Sequence, residues 1–334
     1  MGRYEELKQV LEERKYFKLV CGAGNEDVEE VRKLTMTYTI AGATVFDISA
    51  NIDVVKAAKN GIETAYKLAP VLKREIKIKP YLNVSIGLKG DPHVRKSRIS
   101  AELCTKCGEC IYVCRQKAID EVFVIKEYRC IGCGDCEVSC KFSAISFIHK
   151  KADFDMILPE CVKLGVETME LHAVTEDNEA VMNDWKLLNK IIPDNFLSLC
   201  LDRSVLSNKH LIERVKSAYE IAGERLIIQA DGVPMSGEGD NYNTTLQAIA
   251  CADVVVKSGV PVKVLLSGGT NSKTGLLAEQ CGVKVNGVAI GSFARKIVKK
   301  YINKEDFNSS INIQEEAVKV AEELIRVNIK VISG

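Results

Sequence analysis

Apolar and polar positions follow two alternating periods along most of the chain. Short apolar runs, typical of buried strands, are each followed by a segment in which apolar residues recur every three or four positions, as in amphipathic helices. The runs that predict strands are residues 17–21, 44–48, 80–86, 167–173, 196–201, 225–230, 262–266 and 287–290. The segments that predict helices are residues 27–41, 52–68, 153–164, 178–192, 209–222, 242–258, 274–281, 293–301 and 314–327. Strand–helix units in series indicate a parallel α/β fold.

This pattern stops once, between residues 88 and 150. The remainder of the 334-residue chain is close to the ~250 residues typical of a (β/α)8 barrel, which also needs eight strands. An open doubly wound sheet is the alternative, but no GxGxxG turn follows the first predicted strand. We therefore predict a (β/α)8 TIM-type barrel formed by residues 1–87 and 151–334, with a domain inserted at residues 88–150 after the third strand.

The inserted segment contains two copies of one cysteine motif. Residues 104–114 read CTKCGECIYVC and residues 130–140 read CIGCGDCEVSC, both C-x2-C-x2-C-x3-C, with a period of 26 residues. With this spacing the fourth cysteine of each run binds the other of two [4Fe–4S] clusters. The predicted ligands are, for the first cluster, Cys104, Cys107, Cys110 and Cys140, and for the second, Cys130, Cys133, Cys136 and Cys114. Structural zinc is the alternative, which two complete, repeated runs disfavour.

Residues 97–149 resemble two-cluster bacterial ferredoxins. Each cysteine run is followed by an Ala–Ile step, at residues 118–119 and 144–145, as in that family. The proline that usually follows the fourth cysteine is replaced by Arg115 and Lys141. We expect these two cations either to raise the cluster potentials or to face a partner protein.

Composition and apolar patterning argue against two kinds of partner, nucleic acids and membranes. The chain has 46 basic and 45 acidic residues and only 6% aromatic residues, which argues against nucleic-acid binding. No apolar stretch reaches the ~18 residues of a membrane span, so no membrane association is predicted. The first nineteen residues predict a charged amphipathic helix rather than a signal peptide. We therefore expect a cytoplasmic protein, in which thiols stay reduced.

Five cysteines lie outside the motifs and are expected not to bind the clusters. They are scattered singly: Cys21, Cys161, Cys200, Cys251 and Cys281. Small buried apolar residues are the ordinary role of such cysteines. For Cys21 and Cys200, which end strands, reactivity at the barrel mouth is the alternative.

Barrel enzymes carry their active sites at the C-terminal ends of the strands. Polar residues near these ends are Asn51, Asn83, Glu170, His172 and Gln229, together with Asp47, Asp202, Arg203, Asp231, Ser267 and Asn271. Strand alternation sends Glu170 and His172 to the same side, and we predict these two as catalytic. Asn51, Asn83 and Gln229 are predicted to line the space for a flavin ring or substrate. Hydrogen-bonded barrel residues without a function are the alternative.

Glycine-rich turns follow the last two predicted strands. They contain Gly268, Gly269 and Thr270, and Gly291, Ser292 and Phe293. Barrels commonly bind phosphate with the turns after strands seven and eight, through backbone amides and a helix N-terminus, and Arg295 adds positive charge. The phosphate would belong to FMN or to a phosphorylated metabolite; plain tight turns are the alternative.

Four segments resemble the LdpA family of cyanobacterial iron–sulfur proteins. They are residues 18–23 (KLVCGA), 38–43 (YTIAGA), 46–50 (FDISA) and 287–295 (GVAIGSFAR). The pair of cysteine runs in mid-chain is similar as well. That family is associated with two iron–sulfur clusters and with redox input to the circadian clock. The resemblance therefore implies a redox role.

The leading hypothesis is an oxidoreductase that passes electrons from two [4Fe–4S] clusters to a flavin or a substrate at the barrel mouth. FMN is the natural cofactor, because a flavin exchanges single electrons with clusters and hydride with substrates. A redox-sensing or electron-transfer adaptor without turnover is the second hypothesis. A barrel enzyme with purely structural clusters is the third. The expected partner is a redox protein or a small-molecule substrate.

Overall fold

The computed structural model describes residues 1–22, 24–88, 95–149, 153–232, 239 and 242–334. Its strands are β1 (Tyr16–Val20), β2 (Val45–Ser49), β3 (Tyr81–Gly87), β4 (Arg95–Ile99), β5 (Ile145–His149), β6 (Val166–His172), β7 (Leu197–Asp202), β8 (Leu226–Asp231), β9 (Lys263–Ser267) and β10 (Gly287–Ile290). Its helices are α1 (Arg3–Glu12), α2 (Val28–Ala41), α3 (Ile52–Leu68), α4 (Glu109–Val113), α5 (Asp135–Ser139), α6 (Phe154–Lys163), α7 (Asn178–Ile191), α8 (Asn208–Ala222), α9 (Tyr242–Lys257), α10 (Thr274–Gln280), α11 (Ser292–Ile302) and α12 (Ile311–Ser333).

Eight parallel strands close a barrel in the order β1–β10–β9–β8–β7–β6–β3–β2. Closure is made between β1 and β10, where Tyr16 lies opposite Gly287 and Leu19 opposite Ile290. The predicted (β/α)8 barrel is confirmed, and each predicted strand agrees with the structure to within one residue at either end. The agreement follows from the apolar residues with which each strand faces the surrounding helices, such as Phe17, Phe46 and Leu199.

Helices at the two chain ends differ from the prediction. The first helix stops at Glu12 rather than reaching residue 19, since Arg14 has a positive φ of 59° and the chain then enters β1. The last helix, α12, is longer than predicted and runs to Ser333. Its apolar face is interrupted by Asn328, which is buried and accepts a hydrogen bond from the Gly275 amide at 2.8 Å. No helix within the described ranges is long and apolar enough to cross a membrane.

The bottom of the barrel is closed by α1. Its residues Leu7, Val10 and Leu11 pack against apolar side chains at the N-terminal ends of the strands. These include Tyr16, Val45, Tyr81, Ile227 and Leu265. The lower interior of the barrel is therefore dry and apolar, and the accessible end is the C-terminal one.

The upper interior of the barrel is polar. Its inward-facing side chains are buried, although barrel interiors are usually filled by Val, Ile and Leu. They are Lys18, Asp47, Asn83, Ser85, Thr168, Glu170, His172, Ser198, Cys200, Gln229, Asp231 and Ser267. Burial of this many polar groups requires that they bond one another, and such a layer is typical of a functional site.

The inserted segment begins and ends in a two-stranded antiparallel sheet. β4 pairs with β5, with Ser97 opposite Phe147, and this strand pair was not predicted. Between these strands lie the short helices α4 and α5, each carrying part of one cysteine run. The predicted joints between barrel and insert adjoin or fall on residues 89–94 and 150–152, which lie outside the described residues.

Candidate metal centre and barrel mouth

The cysteine repeat is also a repeat of backbone conformation. Each short helix follows a glycine in the left-handed region, Gly108 with φ 87° and Gly134 with φ 95°. Lys117 and Ser143, again 26 residues apart, both have φ 51°. The left-handed region strains other residues but not glycine, so the glycine that both copies of the repeat share has a structural cause.

The Ala–Ile step after each run supplies a hydrogen bond to sulfur. The Ala118 amide donates to Cys114 Sγ at 3.3 Å, and the Ala144 amide donates to Cys140 Sγ at 3.4 Å. Both alanines are buried, which leaves no room for a larger side chain. Donors placed on cysteine sulfur are the usual surroundings of an iron–sulfur cluster.

Four thiols surround one cavity in the second half of the insert. Cys130, Cys133 and Cys136 line it together with Cys114, which comes from the first run. Burial raises the pKa of the Cys133 thiol to about 11, and the nearby Cys136 and Cys114 thiols add to the rise. Cys114 therefore lies beside the second set, and the crossed ligand assignment stays a prediction. Four sulfurs around one space fit a cubane cluster.

The first cysteine set is more open. Burial raises the pKa of Cys110, and the nearby Cys104, Cys136 and Cys107 thiols act in the same direction. Cys107 is exposed, whereas Cys110 lies in a small apolar core against which Cys140 packs.

The two cations that replace the family's prolines lie in different surroundings. The Arg115 guanidinium pairs with Asp135 at 3.3 Å, and the Arg115 carbonyl accepts a hydrogen bond from Lys299 of α11. The charge of Arg115 is thus offset locally. Lys141 is exposed on the insert surface.

A pocket at the barrel mouth brings together both glycine-rich turns. It is lined by predicted site residues from the turns after β9 and β10 and from strands β6 and β8: Gly268, Gly269, Thr270, Gly291, Ser292, His172 and Gln229. Asp231, Ser267 and Arg295 complete the polar wall. The two turns are adjacent because β9 and β10 are neighbours in the barrel.

Two features of this pocket favour an anion. The N-cap residue of α11 is Gly291, and no side chain caps the helix, so its first amides are left for a ligand or water. Arg295, in the first turn of α11, lines the pocket and is only 8% exposed. Among the described residues its Nε has no hydrogen-bond partner. A buried guanidinium of this kind is costly unless an anion joins it.

The glycines of the first turn are explained by protein neighbours rather than by phosphate. Gly268 and Gly269 have positive φ, 62° and 78°. A Cβ on Gly268 would overlap the Asp231 carboxylate, and one on Gly269 would lie 2.7 Å from Thr244 Cβ. The expected reason, close approach of backbone to phosphate, is therefore unnecessary at these positions. Gly291 is less constrained, with Val20 Cβ at 3.3 Å.

Below the pocket, Glu170 is the centre of a buried hydrogen-bond network. It accepts from Lys18 Nζ at 2.5 Å and from Gln229 Nε2 at 2.8 Å, and His172 Nε2 lies 3.0 Å from its Oε1. Burial opposes ionisation of Glu170, but Lys18 and His172 outweigh it and lower its pKa to about 2. The carboxylate is acceptor-only, so His172 Nε2 carries a proton.

Glu170, His172 and Cys200 also offer three ligand atoms within 4.8 Å of one another. Both Glu170 oxygens already accept hydrogen bonds, and the adjacent Lys18 ammonium repels a cation. The geometry is thus better explained as a proton-holding network than as a metal site.

Besides Glu170, three predicted site residues lie outside the pocket wall. Asn51 caps α3, accepting from the Asp53 amide at 2.9 Å, and its amide group donates to Glu26. Asn83 is fully buried and bonds Asp47 and Thr168 inside the barrel. The Phe293 side chain packs against the core. Each has a structural role that accounts for its residue type.

The scattered cysteines are mostly core residues. Cys21, Cys161 and Cys251 lie in the main apolar cluster, and burial raises the pKa of Cys251 to about 12. Cys200 is buried beside Asp231. The expectation of burial is wrong for Cys281, which is exposed at the end of α10. Cys281 ends the predicted helix of residues 274–281, and the sequence pattern does not show whether the last residue of a helix is covered by another element.

The cavity of the second cysteine set and the mouth pocket share a wall. Ile131, which directly follows Cys130, lines both spaces, and so does Ser292 at the start of α11. The insert therefore lies over the C-terminal end of the barrel, the end at which β3 leads into it.

A buried lysine fastens the insert to the barrel, and sequence reasoning missed it. Lys96 Nζ donates to the carbonyls of Gly24 at 2.6 Å and Cys130 at 2.7 Å. The Glu26 amide donates to the Tyr128 carbonyl at 2.9 Å. Residues 95–98 read RKSR, and a lysine in so polar a segment is expected to be exposed.

Comparison with known proteins agrees with this geometry. The family model "4Fe-4S binding domain" matches residues 98–120, so the first cysteine run is a 4Fe–4S binding motif. Among solved structures, the YdjI aldolase from Escherichia coli K12 superposes with a TM-score of 0.50 at 9% identity, covering 97% of this chain and 94% of the aldolase. Tryptophan synthase from M. tuberculosis gives a TM-score of 0.45 at 11% identity, covering 96% and 99%. At such identity the aldolase likeness shows the barrel fold alone.

The sequence comparisons are more specific. The model of the "Light dependent period A C-terminal domain" matches residues 161–330. "Light dependent period A" of Synechococcus elongatus is 31% identical over 299 residues, covering 86% of this chain and 82% of that protein. The resemblance noted in the sequence is thus confirmed, and the chain is an iron–sulfur protein that belongs to the Light dependent period A family.

Proposed function

We propose that this protein is an oxidoreductase in which two [4Fe–4S] clusters exchange electrons with a phosphate-bearing cofactor or substrate at the barrel mouth. FMN is the leading candidate for that cofactor. The observation that carries the proposal is the shared wall: Ile131 and Ser292 line both the cavity of the second cysteine set and the mouth pocket. Two spaces with shared lining residues would hold a cluster and a mouth ligand close together, as electron exchange between them requires.

The ligand sets of the clusters are those of the crossed assignment. Cys130, Cys133, Cys136 and Cys114 surround one cavity, which supports a cluster there. The clusters would supply single electrons, and FMN would join single-electron to hydride chemistry.

The residues of the mouth would bind the phosphate and hold a proton. Arg295 and the first amides of α11 offer the anion site. Glu170 orients His172 by accepting a hydrogen bond from its Nε2. Gln229, bonded to both Lys18 and Glu170, fixes the floor of the pocket. Reduction of a flavin or carbonyl consumes protons, and His172 lines the pocket where one is required.

The spectrum of anaerobically purified protein tests the proposal. We expect the broad absorption of iron–sulfur clusters together with flavin bands that acid precipitation releases. A protein with clusters and no affinity for FMN or inorganic phosphate contradicts the enzyme proposal.

A second candidate, an electron-transfer adaptor, is favoured by the surface of the insert. Tyr112 and Val138 are 89% and 88% exposed and occupy equivalent positions of the 26-residue repeat. Apolar side chains so exposed near cluster ligands suit a transient redox partner. Clusters without a mouth ligand, and with a protein partner that oxidises them, would favour this candidate.

A further inference from the structure

The two halves of the insert differ in the residues that surround their cysteines. Ser97 and Lys96 lie seven and eight residues before the first cysteine run, and the positions 26 residues later are Phe123 and Val122. A hydroxyl and an ammonium in one half thus correspond to two apolar side chains in the other.

Ser97 is directed at the sulfurs of the second cysteine set. Its amide donates to Cys130 Sγ at 3.4 Å, and its hydroxyl lies 3.5 Å from Cys136 Sγ and 3.6 Å from Cys130 Sγ. The residue is on β4 and only 5% exposed, so water does not compete with these bonds. Phe123, its counterpart, packs against the core around Cys110 and has no donor on its side chain.

Lys96 brings a positive charge to the same set. Its ammonium is 4% exposed and donates to the carbonyls of Gly24, Glu127 and Cys130, the last at 2.7 Å. Glu26 lies 3.5 Å away on the barrel side, partly exposed. The counterpart, Val122, is uncharged and exposed.

Hydrogen bonds to cluster sulfur and nearby positive charge both stabilise the reduced state, because reduction adds negative charge. Burial acts against that state and is the one of these factors that favours reduction of the first cluster, because Cys107 is exposed whereas Cys130 and Cys136 are each 7% exposed. The interactions of buried Ser97 and Lys96 act in surroundings of low dielectric, where they are stronger than in the water around Cys107.

We propose that Ser97 and Lys96 raise the reduction potential of the second cluster above that of the first. Electrons that enter the insert then collect beside the barrel mouth. This inference rests on the proposed function in one respect, that both motifs carry clusters. Ser97 and Lys96 are positioning residues, since they act through the cluster ligands.

The test is a redox titration of the anaerobic holoprotein followed by electron paramagnetic resonance. We expect two potentials in the wild type, and Ser97→Ala should move only the higher one to a more negative value. Ser97→Thr, which keeps the hydroxyl, should restore it. Ser100→Ala is the matched control, because its hydroxyl accepts a hydrogen bond from Leu103 and contacts no sulfur in the described contacts. Cys114→Ser identifies the signal of the second cluster.

Lys96→Gln provides an independent second variant, which should lower the same potential. With full iron content, equal shifts of both potentials, or none in either variant, overturn the inference. If the wild type contains fewer than two clusters, it is the proposed function that fails, and iron analysis shows this before any titration.

Discussion

The Lys18 ammonium on β1 lies 2.5 Å from the Glu170 carboxylate on β6, three strands away around the barrel, and neither side chain is exposed. A buried ion pair contributes little net stability over an apolar pair, but the loss of one partner leaves an unpaired buried charge. This pair therefore fixes the polar layer under the mouth pocket.

Removal of either partner should destabilise the protein strongly. We expect Lys18→Met and Glu170→Gln each to lower the free energy of unfolding by about 3–5 kcal/mol, measured by chemical denaturation. The double variant should be more stable than either single variant, because no charge is left unpaired. Additive losses in the double variant would contradict this account.

The same pair predicts a pH dependence. The pKa of Glu170 is lowered to about 2 in the folded state, below the ~4.3 of an unperturbed glutamate. Its stabilising contribution is therefore complete above about pH 4.3 and is lost as the pH falls toward the folded pKa. Acid unfolding of the wild type should be steeper in this range than that of Glu170→Gln, which has no carboxylate to titrate.

Iron content is the next prediction. Two complete C-x2-C-x2-C-x3-C runs should give about eight irons and eight sulfides per chain in anaerobic analysis. Cys114→Ser should damage the cluster held by Cys130, Cys133 and Cys136, because Cys114 lines their cavity. Four irons in the wild type, stoichiometric zinc, or damage confined to the set of Cys104 would each count against the assignment.

Arg295 should control anion binding. Arg295→Gln removes a charged donor worth about 1.5–3 kcal/mol, so FMN or inorganic phosphate should bind roughly tenfold to a hundredfold more weakly in calorimetry. Iron content should stay unchanged. Lys300→Gln is the matched control, an exposed cation on the same helix. Equal weakening by both variants would indicate general attraction rather than a site.

Gly269 and Gly165 form a matched pair for the turn after β9. Both have positive φ, but a Cβ on Gly165 meets no atom within 4 Å, whereas one on Gly269 meets Thr244. Gly165→Ala should cost about 1 kcal/mol, and Gly269→Ala about 1–3 kcal/mol more, measured by thermal unfolding. Because any side chain at Gly269 meets Thr244, Gly269→Asp would perturb folding as well as ligand binding. Arg295→Gln is therefore the better variant for testing the anion site.

The sequence predicted the barrel and the cysteine sets because both depend on local patterns. Apolar runs define the strands, and the spacing of Cys114 relative to its own run already requires the crossed partner. The pairing of the turns at Gly268 and Gly291 followed from strand order.

Contacts between residues far apart in the chain could not be predicted from local sequence patterns. Lys18 was missed because it sits in mid-strand, and its partner Glu170 is 152 residues away. Lys96 was missed because burial of a lysine depends on carbonyls from two separate loops. Asn51 and Asn83 were assigned to the mouth from position alone, whereas capping and interior hydrogen bonds account for them.

Ile131 adjoins Cys130 in the chain and forms part of the mouth pocket. A rearrangement of the Cys130 turn would therefore move part of the pocket wall. By thermodynamic linkage the dependence is mutual: a molecule whose affinity falls when the turn rearranges must, when bound, stabilise the original turn by the same free energy. Occupancy of the mouth and the conformation of a cysteine-bearing turn of the insert are thus coupled.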